Sequence, residues 1–557
     1  MLSRTQLSLS AIFLCLFTSI AAHAITPKRS TAQQEQRATQ AFNAAKKNPL
    51  QLRAFLVKMP KGADLHMHLS GAVYAETFLK DAAADLLCVN SSALTLTKNV
   101  GTSSLPPQPV CNKGDIRADS VLEDQHLYDA LVDSFSMRGF VPTAGTSGHD
   151  QFFATFDRFG VLDDHTGEWL DEVARRAAAQ NEQYLEIMKT PTFEHAAKLG
   201  YDLGWPAGAG LPSGWLGGQK EVTREQLAKL RDALLAGGLR DEVAIDQKEL
   251  ADAEANRNAI EGCPATQQTA KEQISSVDSI GGPAHSIACA VQIRFLGQVL
   301  RAFPPQKVFA QTLLYFELAS VDPHVVGINF VQPEDSYLAM SEYHRQMQML
   351  DYLHSVYPRV HITLHAGELA PGLVPPAGLR FHIREAVELG HAERIGHGVD
   401  IMYEENPQAL LKEMATRHIM VEINLTSNDV ILGIDPAHHP LPIYRAAHVP
   451  VALSTDDEGV SRIDLTNEYV RAARDFNLSY ADLKNMSRTS LEHSFLPGPS
   501  LWQQRDNFTR TNAACAGQPL GAEKPTTKCA AFLQSSKKAT EQWQLEHRYD
   551  VFESTTP

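Results

Sequence analysis

The chain has 557 residues, 43% of them hydrophobic and 8% aromatic, enough for a large core and more than one minimal domain needs. Its formal charge of -15, from 50 Lys+Arg against 65 Asp+Glu, leaves no basic surplus for a phosphate backbone, which argues against nucleic-acid polymers as partners. Residues 1–24 read as a secretory leader: Arg4 lies in a short positive start, an apolar stretch runs from Leu7 to Ala21, and Ala22-His23-Ala24 is a small-x-small cleavage site. The apolar run is short for a spanning helix. The mature protein is therefore expected to be secreted or periplasmic, with no membrane span.

Cysteine usage agrees with export. Cys15 falls in the leader, and the other six form three sequence-local pairs, Cys88 and Cys111, Cys263 and Cys289, Cys515 and Cys529. An even set behind a leader reads as disulfides in an oxidising compartment. None has the CxxC spacing of a zinc site, so any metal ligands must be histidines and acids.

After a polar arm at 25–57, eight short apolar runs read as buried strands. The first leads into Leu65-His66-Met67-His68; the others are 184–188, 290–295, 325–330, 360–364, 394–396, 419–423 and 449–453. Stretches with helical spacing, such as 343–357 and 407–417, lie between most of them. Eight strand-helix units with polar chemistry just past each strand's carboxyl end predict a (β/α)8 TIM barrel over 58–500. An open doubly wound sheet would gather its ligands at one switch point instead. Two intervals are too long for barrel loops: 82–120, with Cys88 and Cys111, and 197–285, with charged helical sequence and Cys263. Residues 501–557 read as a C-terminal extension.

Four motifs carry the chemistry. In His66-Met67-His68 alternate side chains share one face of a strand, so both imidazoles can reach one metal. In His365-Ala366-Gly367-Glu368 the glycine lets the backbone turn and return Glu368 over the same cavity. In Gly396-His397-Gly398 the small neighbours allow His397 close approach, as a base or an orienter of water. In Ser454-Thr455-Asp456-Asp457 two adjacent acids cannot both face one ion, so one is expected to ligate and the other to meet substrate. Three histidines and one aspartate would leave a coordination position for water, whose pKa zinc would bring toward neutrality.

Taken together these motifs resemble the adenosine deaminase family of metal-dependent amidohydrolase barrels, in its secreted, growth-factor-related branch. The family's Pro-Lys-x-x-x-Leu-His-x-His is met by Pro60 to His68, and its His-Ala-Gly-Glu by His365 to Glu368. Its Arg-Ile-Gly-His-Gly is met by Arg394 to Gly398, its Thr-Ser-Asn by Thr426 to Asn428, and its Ser/Asn-Thr-Asp-Asp by Ser454 to Asp457. They occur in family order over about 59–495. The branch also carries a disulfide-bonded insertion after the first strand, which Cys88 and Cys111 resemble in position, and its members tend to be homodimers built partly from N-terminal arms.

The resemblance implies one Zn2+ per chain on His66, His68, His365 and Asp456. It implies a protonated Glu368 that donates to purine N1, His397 beside the water, and Asp457 at N7. The reaction would be deamination of adenosine or deoxyadenosine to the inosine product and ammonia. Two positions depart from the family: Ser70 stands where an acid meets the ribose, and Gln332 where a glycine serves purine N3. Both are expected to be substrate-binding positions, and both keep adenine or a modified purine open as alternatives. A related mononuclear amidohydrolase reaction, or an extracellular nucleoside-binding protein without catalysis, are the remaining alternatives.

Overall fold

The structure is a computed structural model that describes residues 31–103, 108–162, 164–206, 222–264 and 286–556. The leader and the middle of the 197–285 interval lie outside the described residues. Eight parallel strands form one sheet in sequence order: β1 (Gly62–His68), β2 (Glu182–Lys189), β3 (Gln292–Leu300), β4 (Val325–Val331), β5 (His361–Ala366), β6 (Arg394–His397), β7 (Met420–Ile423) and β8 (Val451–Leu453). The seam closes just past β8, where Asp456 N–H donates to His66 O at 2.9 Å and His68 N–H donates to Asp456 O at 3.2 Å. The fold is therefore a TIM barrel, and each apolar run read from the sequence is one of its strands.

The strands are buried along nearly their whole length, as strands covered by helices on the outside must be. Their runs consequently lack clean alternation, and the polar residues that interrupt them are the informative ones. Arg394 of β6 is fully buried in the barrel interior. It forms ion pairs with Glu186 of β2 at 2.7 Å and Glu422 of β7 at 2.6 Å, and donates to His493 O at 3.0 Å. Two carboxylates in so dry a place are tolerable only because one guanidinium serves both.

The 82–120 interval folds as small antiparallel ladders. Cys88–Asn90 pairs with Thr95–Thr97 and with Ile116–Arg117, over a separate apolar cluster that includes Phe78, Leu79, Val89, Leu131 and Phe159. Within 197–285, helices Arg224–Ala236 and Leu239–Glu261 place Leu227, Leu234, Leu239 and Leu250 in the main core, so this stretch thickens the barrel wall. Disulfides join Cys88 to Cys111, Cys263 to Cys289 and Cys515 to Cys529. The N-terminal arm packs on its own chain: Phe42 and Phe55 meet Tyr480, Phe55 meets Phe552, and Arg37 donates to Thr556 O at 3.2 Å. No helix among the described residues is long and apolar enough to cross a membrane.

Removing Arg394 leaves Glu186 and Glu422 buried without their cation. We expect Arg394→Met to lose about 3–5 kcal/mol of stability, read as a lower midpoint in denaturant unfolding. A midpoint unchanged from wild type would show that the interior pair is not needed.

Candidate metal and catalytic site

The carboxyl ends of β1, β5 and β8 bring four side chains to one point. His66 Nε2 lies 3.0 Å from His365 Nε2, and His68 Nε2 lies 3.1 Å from the same atom. Asp456 Oδ1 is 3.4 Å from His66 Nε2 and 3.2 Å from His68 Nε2. Ligands about 2.0–2.1 Å from a shared ion, at angles of about 90–110°, stand about 2.9–3.4 Å apart. These four separations have that spacing.

Tautomers make the case independently of distance. His66 Nδ1 donates to Glu422 Oε2 at 2.6 Å, and His68 Nδ1 faces Gln298 Oε1 at 2.8 Å. His365 Nδ1 meets Asn329 Oδ1 at 2.9 Å, an oxygen that also accepts the backbone N–H of His365. With each proton committed to Nδ1, all three Nε2 lone pairs point at one another and at a carboxylate. Neutral nitrogens at 3.0 Å repel unless a cation lies among them, so the donor set fits a divalent metal.

Close approach at this centre depends on two glycines. A Cβ at Gly396 would stand 2.4 Å from His66 Cε1, and one at Gly71 would stand 1.4 Å from Asp457 Oδ1. The small residue before His397 therefore makes room for a ligand ring as well as for His397 itself. Asp64 ties the same seam together, accepting from His66 N at 3.1 Å and from Thr455 Oγ1 at 2.7 Å.

Around the centre stand three further groups. Burial, then the charges of Asp456 and Glu334, push the Glu368 carboxyl well above its usual range, which keeps it protonated. Burial, reinforced by Asp456, pushes Asp457 up to about 8, and its Oδ1 has no protein partner. Burial drives His397 down to about 3; its Nδ1 lies 2.9 Å from Asn428 Nδ2, and its buried Nε2 meets no protein partner. Atoms of His66, His365, His397 and Asp456 all lie within 4.8 Å of one another, yet the donor on His397 Nδ1 sets that ring beside the centre rather than among the ligands.

Glu334 shapes the turn that aims Glu368. Its carboxylate accepts from Gly367 N at 3.1 Å, Glu368 N at 2.8 Å and His382 Nδ1 at 2.5 Å. Against the effect of burial, His382 holds this acid down at about 2. Gln332 borders the cavity, but its Oε1 accepts from Ala302 N at 2.9 Å and its backbone has φ +83°. That left-handed backbone is the conformation a glycine adopts freely.

A cavity of about 580 Å³ opens above the centre, a size suited to a small ligand. Ser70, Gln298, Gln332, Glu368 and Asp457 border it. Phe152, Phe153 and Phe156 form an apolar wall on the helix Gly148–Phe159, whose start is fixed by a Ser147/Asp150 capping box. His149 Nε2 reaches Asp335 Oδ1 at 3.0 Å from that helix. Sequence reading missed this wall, together with Glu422, Gln298, Asn329 and Glu334. A signal existed for two of them, since Asn329 and Glu422 are polar residues inside apolar strand runs.

A family model described as "Adenosine deaminase" matches residues 280–507. Over that segment the chain resembles the adenosine deaminase family. An adenosine deaminase of Clostridium perfringens is 36% identical over 135 residues, 24% of this chain and 37% of that protein. One of Escherichia coli O1:K1 / APEC is 38% identical over 137 residues, 24% of this chain and 38% of that protein. These matches thus span a little over a third of the curated relatives. The crystal structure of an adenine deaminase from Arthrobacter aurescens aligns with TM-score 0.46 at 15% identity, covering 79% of this chain and 94% of that one. His66 and His68 precede the segment matched by the family model, and the barrel seam brings them to it.

Because Glu422 holds the proton of His66, Glu422→Gln is expected to weaken binding of a divalent metal about 10–100-fold, measured by chelator competition on folded protein. Wild-type affinity in that variant would remove Glu422 from the support of the centre.

Proposed function

We propose that the protein is a zinc-dependent aminohydrolase that converts adenosine or deoxyadenosine and water to the inosine product and ammonia. The observation that carries this reading is the convergence of His66, His68, His365 and Asp456 beside a protonated Glu368 at the floor of a ligand-sized cavity. Zinc held by those four residues would supply the Lewis acidity that brings water's pKa to about 7.

The chain's own residues do the rest. Glu368 gives its proton to purine N1, which removes the charge that would otherwise build on the ring as oxygen adds at C6. His397 touches the attacking oxygen from the side opposite Asn428. Asp457, raised to about 8, keeps a proton at neutral pH and offers it to N7 as a hydrogen bond. As the C6 intermediate collapses, the proton of its own hydroxyl passes to the amino group, which leaves as ammonia while the C6 carbonyl forms, and ionisation of the next water returns the proton to Glu368.

Cavity chemistry favours a neutral nucleoside over a nucleotide. Among the described residues, no lysine or arginine borders the cavity, whereas Asp150 and Asp157 do, and a phosphate there would meet like charge without a counter-ion. The three disulfides support action outside the cytoplasm.

Zinc-loaded protein should turn over adenosine or deoxyadenosine, followed by the ultraviolet change of the purine, and should leave AMP essentially untouched. Preference for AMP would contradict the cavity argument, and turnover of none of adenosine, deoxyadenosine or adenine would contradict the proposal itself. Glu368→Gln is expected to retain metal and lose at least about a thousandfold in kcat, at the strong end of proton-transfer effects; near-wild-type kcat would take Glu368 out of the mechanism.

A further inference from the structure

We propose that His439 is a positioning residue for His397: acting through Asn428, it holds the His397 ring in the tautomer whose single proton sits on Nε2, facing the ligand cluster. The consequence for rate rests on the deaminase reading above, whereas the tautomer itself does not.

The direction of the chain of hydrogen bonds is set at its far end. The backbone N–H of Leu441 lies 3.1 Å from His439 Nδ1, and a backbone N–H can only donate. His439 Nδ1 is therefore the acceptor, and the proton of the neutral ring is on Nε2. That nitrogen lies 3.1 Å from Asn428 Oδ1, so the amide oxygen is the end turned to His439. The amide nitrogen is then the end turned to His397 Nδ1, at 2.9 Å. Asn424 Nδ2 approaches the same Nδ1 at 3.4 Å. With donors on Nδ1, the His397 proton must be on Nε2.

Any reversal would cost a buried clash. Were His397 protonated on Nδ1, Asn428 would have to turn its oxygen inward and its NH2 toward His439 Nε2–H, donor against donor. Neither Asn428 nor His397 is exposed at all, and His439 is only 4% exposed, so water cannot relieve it. Burial, with Arg471 nearby, presses His439 down to about 3, which keeps that ring neutral.

The chemical consequence is specific. In this form His397 donates a hydrogen bond to the attacking oxygen and favours negative charge on it; it does not take that oxygen's proton. His397 thus orients the nucleophile, and the relay behind it keeps the donor in place.

The test is a long-range 1H–15N correlation spectrum of 15N-histidine-labelled protein, metal-free and zinc-loaded, with His397 assigned from a His397→Asn variant. Wild type should give the Nε2–H pattern in both states. His439→Phe frees Asn428 to turn; it should show an Nδ1–H population for His397 and lose about 10–100-fold in kcat with KM unchanged. His439→Gln restores an amide donor toward Asn428 and should recover both. Asn428→Asp replaces the nearer donor on His397 Nδ1 with a carboxylate acceptor, leaving only the longer approach of Asn424, and should move the proton to Nδ1, which keeps the test open if His439→Phe does not fold. A wild-type proton on Nδ1, or an Nε2–H pattern that persists in His439→Phe and Asn428→Asp, would overturn the assignment. Lack of turnover on adenosine would count against the deaminase reading and leave these spectra as a separate answer.

Discussion

Three neutral imidazoles and a carboxylate turn their lone pairs on one point inside a closed barrel, and much of the polar interior is organised around that repulsion. Glu422, Gln298 and Asn329 each hold one Nδ1, so protonation of the converging Nε2 atoms would leave the rings charged and pointing N–H groups at one another. A cation resolves the conflict. Arg394 belongs to the same logic one layer down, because it keeps Glu422 ionised and so keeps His66 oriented.

Charge at the centre also divides the nearby acids by role. Against the pull of burial, positive charge on the His66 and His68 side, from protons on those rings or from a cation in their place, holds Asp456 well below the usual carboxylate range, as a metal ligand would require. Burial and proximity to Asp456 push Glu368 and Asp457 the other way. One ionised acid and two protonated neighbours in a dry pocket form an arrangement suited to a substrate that gains protons as it reacts. The partition follows from placement alone: Asp456 faces the rings, while its chain neighbour Asp457 packs against Gly71.

Much of this architecture is legible in the sequence. Each of the eight strands lies where an apolar run stands, because parallel barrel strands are buried on both faces and read as near-continuous hydrophobic stretches. The motifs around His66, His365, His397 and Asp456 are visible as separate signals, yet that they share one centre is a property of the barrel seam that brings β8 back to β1. Glu422 and Asn329 could have been noticed as polar residues in apolar runs. His439 could not, since a histidine in the loop between the helices Leu425–Leu432 and Leu441–Ala446 has no local pattern; its meaning comes from the single backbone N–H of Leu441 that fixes its tautomer. The phenylalanine wall likewise depends on how the helix Gly148–Phe159 docks over the barrel mouth, which no local spacing encodes.

The most direct measurement is anomalous X-ray diffraction across the zinc edge from crystals of zinc-loaded protein. The account predicts one strong peak per chain, within about 2.0–2.2 Å of His66 Nε2, His68 Nε2, His365 Nε2 and Asp456 Oδ1, with His397 outside that bonding distance. A fully loaded protein with no peak at this point, or with an ion bonded to His397 in place of one of the four, would contradict it.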